Sequence, residues 1–112
     1  LPQPEGRGTA ESDCGDRIEV QLRARDGRVQ DASFVSEGCG ATFAAGSAAA
    51  ELARGRTVPG LLAITAVDVL EELEGLPEHN QHCADLAVSA LQRAARDLLV
   101  TRNEPWKRLY RQ

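Results

Sequence analysis

Residues 17–55 read RIEVQLRARDGRVQDASFVSEGCGATFAAGSAAAELARG, and the character of the chain changes once within them, at Gly38. Before that glycine, Ile18, Val20, Leu22 and Ala24 alternate with polar residues, the period of a strand with one buried face. Asp26-Gly27 supplies a tight turn, because glycine accepts the positive φ that primed hairpin turns require. The return strand carries Val29, Ala32, Phe34 and Val35, and its parity slips between Val29 and Ala32, which predicts a bulge there. After Gly38 the chain becomes a run of alanine and other small residues that stops at Arg54-Gly55, a helix end. Small side chains along a helix allow it to lie close to a sheet. A hairpin leading into such a helix is the nucleus of an α+β fold.

Downstream, TVPGLLAI reads as a short helix or turn with Pro59 tolerated near its start. Thr65 followed by Asp68 has the form of a capping arrangement for AVDVLEELEG, which Gly75 would end. LPEHNQ, residues 76–81, is a loop. A long amphipathic helix then spans about Cys83 to Thr101, with Leu86, Ala87, Ala90, Leu91, Ala94 and Leu98 at helical spacing and Pro105 beyond it. Upstream, the Pro, Gly and polar content of residues 1–13 predicts a mobile loop without a strand. The expected organisation is a flexible segment 1–13, a domain 14–101 and a tail 102–112. Its fold class is a small antiparallel sheet packed against helices, since strands come first and helices later.

Composition excludes several partners. Among 112 residues the formal net charge is -4, and the few aromatics, Phe34, Phe43, Trp106 and Tyr110, form no basic stacking platform, so no nucleic acid partner is expected. No apolar run reaches the roughly 18 residues of a membrane span, so no membrane partner is expected. LPQPEGRG shows no basic and then apolar leader pattern, and a cytoplasmic location follows as the expectation.

The cysteines are three, an odd number that leaves one over from any disulfide. Each lies where the chain changes direction. DCGD places Cys14 and Asp16 just before the first hairpin strand; EGCG places Cys39 between glycines where the Ala-rich helix begins; His82 and Cys83 open the long helix. A helix N-terminus presents unpaired N–H groups and the positive end of its dipole, which favours the thiolate that binds metal. Three thiolates, an imidazole and a carboxylate exceed what one tetrahedral metal needs, and a surplus suits a site that must exchange its cargo. There is no CxxC pair, so spacing alone leaves two readings open, a shared metal site or three buried thiols. Asp13, Glu37 and His79 read as solvated.

Taken together, CGD before a hairpin, GCGA opening a small-residue helix with ELARGRT after it, and LP…HC before a C-terminal helix resemble the IscU/NifU-type iron-sulfur cluster scaffold proteins. ITAVDVLEELEGLPE also resembles the family's stretch between its two helical parts, and the likeness runs from about residue 14 to 100. The resemblance implies an assembly site at one end of the fold, with Cys14, Cys39 and Cys83 matching the family cysteines. Asp16 would match the acidic residue that keeps the cluster labile, and His82 the histidine beside the last cysteine. The implied activity is assembly of a 2Fe-2S cluster from iron and from sulfur delivered by a cysteine desulfurase, followed by transfer to iron-sulfur acceptor apoproteins. Such a protein is not an enzyme in the turnover sense. Cys39 and Cys83 are the candidate persulfide acceptors, and zinc can occupy the site in isolated protein.

The chain also departs from the family. Only Leu76 and Pro77 remain of the Leu-Pro-Pro-Val-Lys stretch that a dedicated Hsp70-type chaperone recognises, so these residues carry no expectation of that partner. Phe43 and Gly46 alter the packing of the helix after the second cysteine. Two alternatives stand beside the scaffold: a zinc-dependent sulfurtransferase partner of a desulfurase, as in SUF-type relatives, and a structural zinc-binding domain. His82, and no visible insertion between Cys14 and Cys39, count against the first; Asp16 counts against the second.

Overall fold

The computed structural model describes residues 5–13, 15–38, 40–73 and 81–103. Strands β1 (Gly6–Glu11), β2 (Arg17–Arg25) and β3 (Arg28–Glu37) form an antiparallel sheet in that order. Helices α1 (Gly40–Ala53), α2 (Val58–Leu62), α3 (Ala66–Glu72) and α4 (Gln81–Asn103) follow.

The hairpin forms as its pattern predicts. Asp26 and Gly27 have φ of 55° and 80°, the pair of positive values that a type I′ turn demands. Arg23 pairs with Asp31 but Ala24 with Val29, so Gln30 is the extra residue of a bulge, inside the interval where the parity slips. Ile18, Val20 and Leu22 point to one face and are fully buried under the helices. The other face of β2, with Arg17, Glu19, Gln21 and Arg23, is only partly covered.

Residues 1–13 require a correction, because six of them, Gly6–Glu11, are strand and not loop. β1 pairs with β2 from Gly6↔Leu22 to Glu11↔Arg17. Its alternation is real but disguised, since the inward positions are Gly6, Gly8 and Ala10, all buried. α4 crosses β1 so closely that a Cβ on Gly8 would strike the backbone of Ala90, Arg93 and Ala94. At Gly6 it would meet Ala94 and Leu98. Glycine inside a strand marks such an approach of a second backbone.

On β3 the same closeness is achieved by α1, whose buried face is Ala45, Ala48, Ala49, Ala50 and Ala53. Gly46 leaves room for the ring of Phe34, 2.7 Å from where a Cβ would stand. Phe43 sits edge-on to that ring, 5.0 Å between centroids. On α4, Leu86, Ala87, Ala90, Leu91, Ala94 and Leu98 are all buried, as their spacing predicts. Thr57 caps α2 by accepting from the Gly60 amide. Thr65 and Asp68 cap α3 reciprocally: the Thr65 amide donates to Asp68 Oδ2 at 2.9 Å, and the Asp68 amide to Thr65 Oγ1 at 3.4 Å. Gly75, His79, Pro105 and the tail 104–112 lie outside the described residues.

Both sheet edges are partly covered. On β1, the Arg7 amide donates to Asp97 Oδ2 at 2.9 Å, and Arg93 donates to the Thr9 carbonyl at 2.6 Å. On β3, Val29 exchanges bonds with Arg56 and Gly55, and Arg54 donates to the Ala32 carbonyl at 3.2 Å. Among the described residues no helix is long and apolar enough to cross a membrane.

Candidate metal centre

Asp16, His82 and Cys83 meet at one end of the sheet. Asp16 immediately precedes β2 in a tight loop closed by Ser12. The Ser12 amide donates to the Asp16 carbonyl at 2.8 Å, and the Asp16 amide donates to Ser12 Oγ at 3.2 Å. Gly15 takes φ of 89° within this loop. Gly38, at the end of β3, has φ of 140° and lies so near the Asp16 carboxylate that no Cβ fits between them. The backbone leaving β3 is thereby pressed against the acid that enters β2.

His82 and Cys83 occupy the first turn of α4, as the sequence predicts, although the helix starts at Gln81. His82 Nε2 lies 3.3 Å from Asp16 Oδ2, joining positions 66 residues apart. Cys83 Sγ lies 3.5 Å from the same nitrogen, and one ligand atom from each of the three residues falls within 4.8 Å of the others. Ligand atoms around a tetrahedral zinc, with bonds of 2.0–2.3 Å, stand roughly 3.3–3.8 Å apart; the two contacts of the imidazole, 3.3 and 3.5 Å, match this, and the set as a whole, within 4.8 Å, would have to close in on an ion. Burial is graded: the Cys83 residue is 0% exposed, while the side chains of Asp16 and His82 are 14% and 47% exposed. The soft sulfur is inside and the imidazole faces outward.

Cys14 and Cys39 lie outside the described residues. Sequence reasoning did not single out Thr42, on the first turn of α1, which is buried with Oγ1 3.5 Å from Cys83 Sγ. Nor did it single out Ser12 or the close approach of Gly38. A polar residue inside an otherwise alanine-lined helix was the available signal for Thr42.

The family model for the NifU-like N terminal domain matches residues 3–104. This chain belongs to that family. The NifU-like domain is 42% identical over 84 residues to iron-sulfur cluster assembly scaffold protein IscU 1 of Archaeoglobus fulgidus, a match covering 75% of this chain and 55% of that protein. It is 38% identical over 85 residues to the IscU scaffold protein of Escherichia coli K12, covering 75% of this chain and 66% of the relative. It therefore spans between about half and two thirds of the length of these relatives. A crystal structure of a NifU-like protein (N-terminal) from Brucella abortus aligns over 98% of this chain and 80% of that one, with TM-score 0.52 and 28% identity. The α+β arrangement read from the sequence is the arrangement of this family.

Proposed function

We propose that this NifU-like domain is a scaffold on which an iron-sulfur cluster is built and from which it is passed on. The observation that carries the reading is the convergence of Asp16, His82 and Cys83, with donor atoms within 4.8 Å, from opposite ends of the chain. The scaffold names of the relatives support it. Chain connectivity supports adding the remaining thiols, because Cys14 precedes Asp16 by two residues and Cys39 is bonded to Gly38, which touches the Asp16 carboxylate. The proposed ligand set is Cys14, Asp16, Cys39, His82 and Cys83.

Within that set the roles follow from chemistry. Thiolates and an imidazole suit iron-sulfur centres and zinc alike, whereas a carboxylate is a harder and weaker partner for the cluster. Asp16 therefore keeps the cargo exchangeable and, through its contact with His82, orients the imidazole. Sulfur comes from a cysteine desulfurase and the product goes to acceptor apoproteins, with no turnover chemistry by the domain itself and in a cytoplasmic setting. Of the two candidate persulfide acceptors, Cys39 and Cys83, burial of the second counts against it as the entry point for sulfur.

Anaerobic incubation with ferrous iron, cysteine and a desulfurase is expected to give the visible absorption of a 2Fe-2S cluster, and Cys39→Ser to lose it. The carboxylate, imidazole and thiol donor set also suits zinc and supports one second reading, a zinc-bearing sulfurtransferase partner. A protein that stays colourless and accelerates the desulfurase only when zinc-loaded would establish that reading instead.

A further inference from the structure

We infer that Thr42 is a positioning residue for this site, its hydroxyl donating a hydrogen bond to the Cys83 sulfur and so tuning how strongly that sulfur donates to bound cargo. The inference rests on the scaffold reading above and concerns a residue outside the proposed ligand set.

Thr42 is the only buried polar side chain among the described residues. The buried face of α1 is otherwise alanine and Gly46, so packing there does not call for a hydroxyl. A hydroxyl taken out of water costs about 1–3 kcal/mol unless it is bonded, and the contact of Oγ1 with Cys83 Sγ at 3.5 Å supplies such a bond. In the free protein either group could be the donor. Once Cys83 ligates a metal its sulfur is a thiolate that can only accept, so the hydroxyl becomes the donor. A hydrogen bond to a ligand sulfur withdraws electron density from it, and such bonds set cluster potentials and metal–sulfur bonding. Cys83 is thus approached from two sides, by His82 from within α4 and by Thr42 from α1.

Cobalt(II) binding to the apoprotein, and the midpoint potential of the reconstituted cluster, test this with Thr42→Val and Thr42→Ser. Valine keeps the shape and removes the donor. It is expected to move the sulfur-to-cobalt charge-transfer band to longer wavelength and the cluster potential to more negative values. Serine is expected to restore both, and Thr42→Ala, which also lacks the donor and cannot crowd the α1–α4 seam, to act like valine. A band and potential identical in wild type and Thr42→Val, or serine behaving as valine does, overturns the inference and leaves the scaffold reading intact. Failure of the wild-type protein to take up either cobalt or a cluster overturns both.

Discussion

At the scale of single residues the site runs from a buried sulfur to a half-exposed imidazole, with the hard carboxylate between them in exposure. Cys83 is enclosed, Asp16 is mostly covered, and His82 faces solvent. One consequence concerns access: Cys83 in the folded apoprotein is expected to alkylate much more slowly than in urea, as read by mass-spectrometric mapping. Equal rates in the two conditions would show the thiol is not enclosed. A second concerns retention. Replacing the hard ligand by a soft one, Asp16→Cys, is expected to slow transfer of a reconstituted cluster to an apo-acceptor, followed by the loss of donor absorbance; faster transfer would remove Asp16 from the release role. His82, Cys83 and Asp16 were legible in the sequence because their side chains are strong ligands at predicted element starts. Thr42 was not, since its hydroxyl acquires its meaning from Cys83 on another element, and Ser12 was not, since its bonds to Asp16 depend on how the loop between them turns.

The elements differ in how openly their sequences declare them. The β2–β3 hairpin, its bulge and the capped helix α3 were readable because each depends on neighbours in sequence: alternation, an Asp-Gly turn, a Thr and an Asp three apart. β1 was hidden because its inward side chains have been reduced to hydrogen to admit α4, and that reason is non-local. Gly8→Ala is accordingly expected to destabilise the domain by about 1–3 kcal/mol, the usual cost of overpacking. Gly40→Ala is the contrast, for its Cβ would meet nothing within 4 Å and its φ is not positive. There a gain of about 0.4–1 kcal/mol is expected from the less flexible unfolded chain. Urea titrations compare the two, and a Gly8→Ala protein as stable as wild type would mean that α4 can retreat from β1 at no cost.

For the molecule as a whole, a metal held by Asp16, His82 and Cys83 would be linked to the fold, because the donors come from the entrance to β2 and the start of α4. At a free zinc concentration of about 100 times Kd, binding to the native state alone contributes ~2.7 kcal/mol, on the order of 10 °C in the unfolding midpoint of a domain this size. His82→Ala should leave the apoprotein within about 0.5 kcal/mol of wild type, since the side chain is half exposed, and should shrink the zinc-dependent rise seen by calorimetry. An undiminished rise would take His82 out of the coordination shell. The partly covered sheet edges act at this scale too, as Asp97, Arg93 and Arg54, reaching β1 and β3 from the helical side of the chain, occupy backbone groups that another strand could otherwise join. The 66-residue separation of Asp16 from His82 bears on synthesis. A ribosome must release α4 before Asp16 acquires its imidazole neighbour. Copies interrupted before α4, or misfolded, hold the pieces apart, so a metal shared by Asp16 and His82 would mark a chain made through α4 and folded around it.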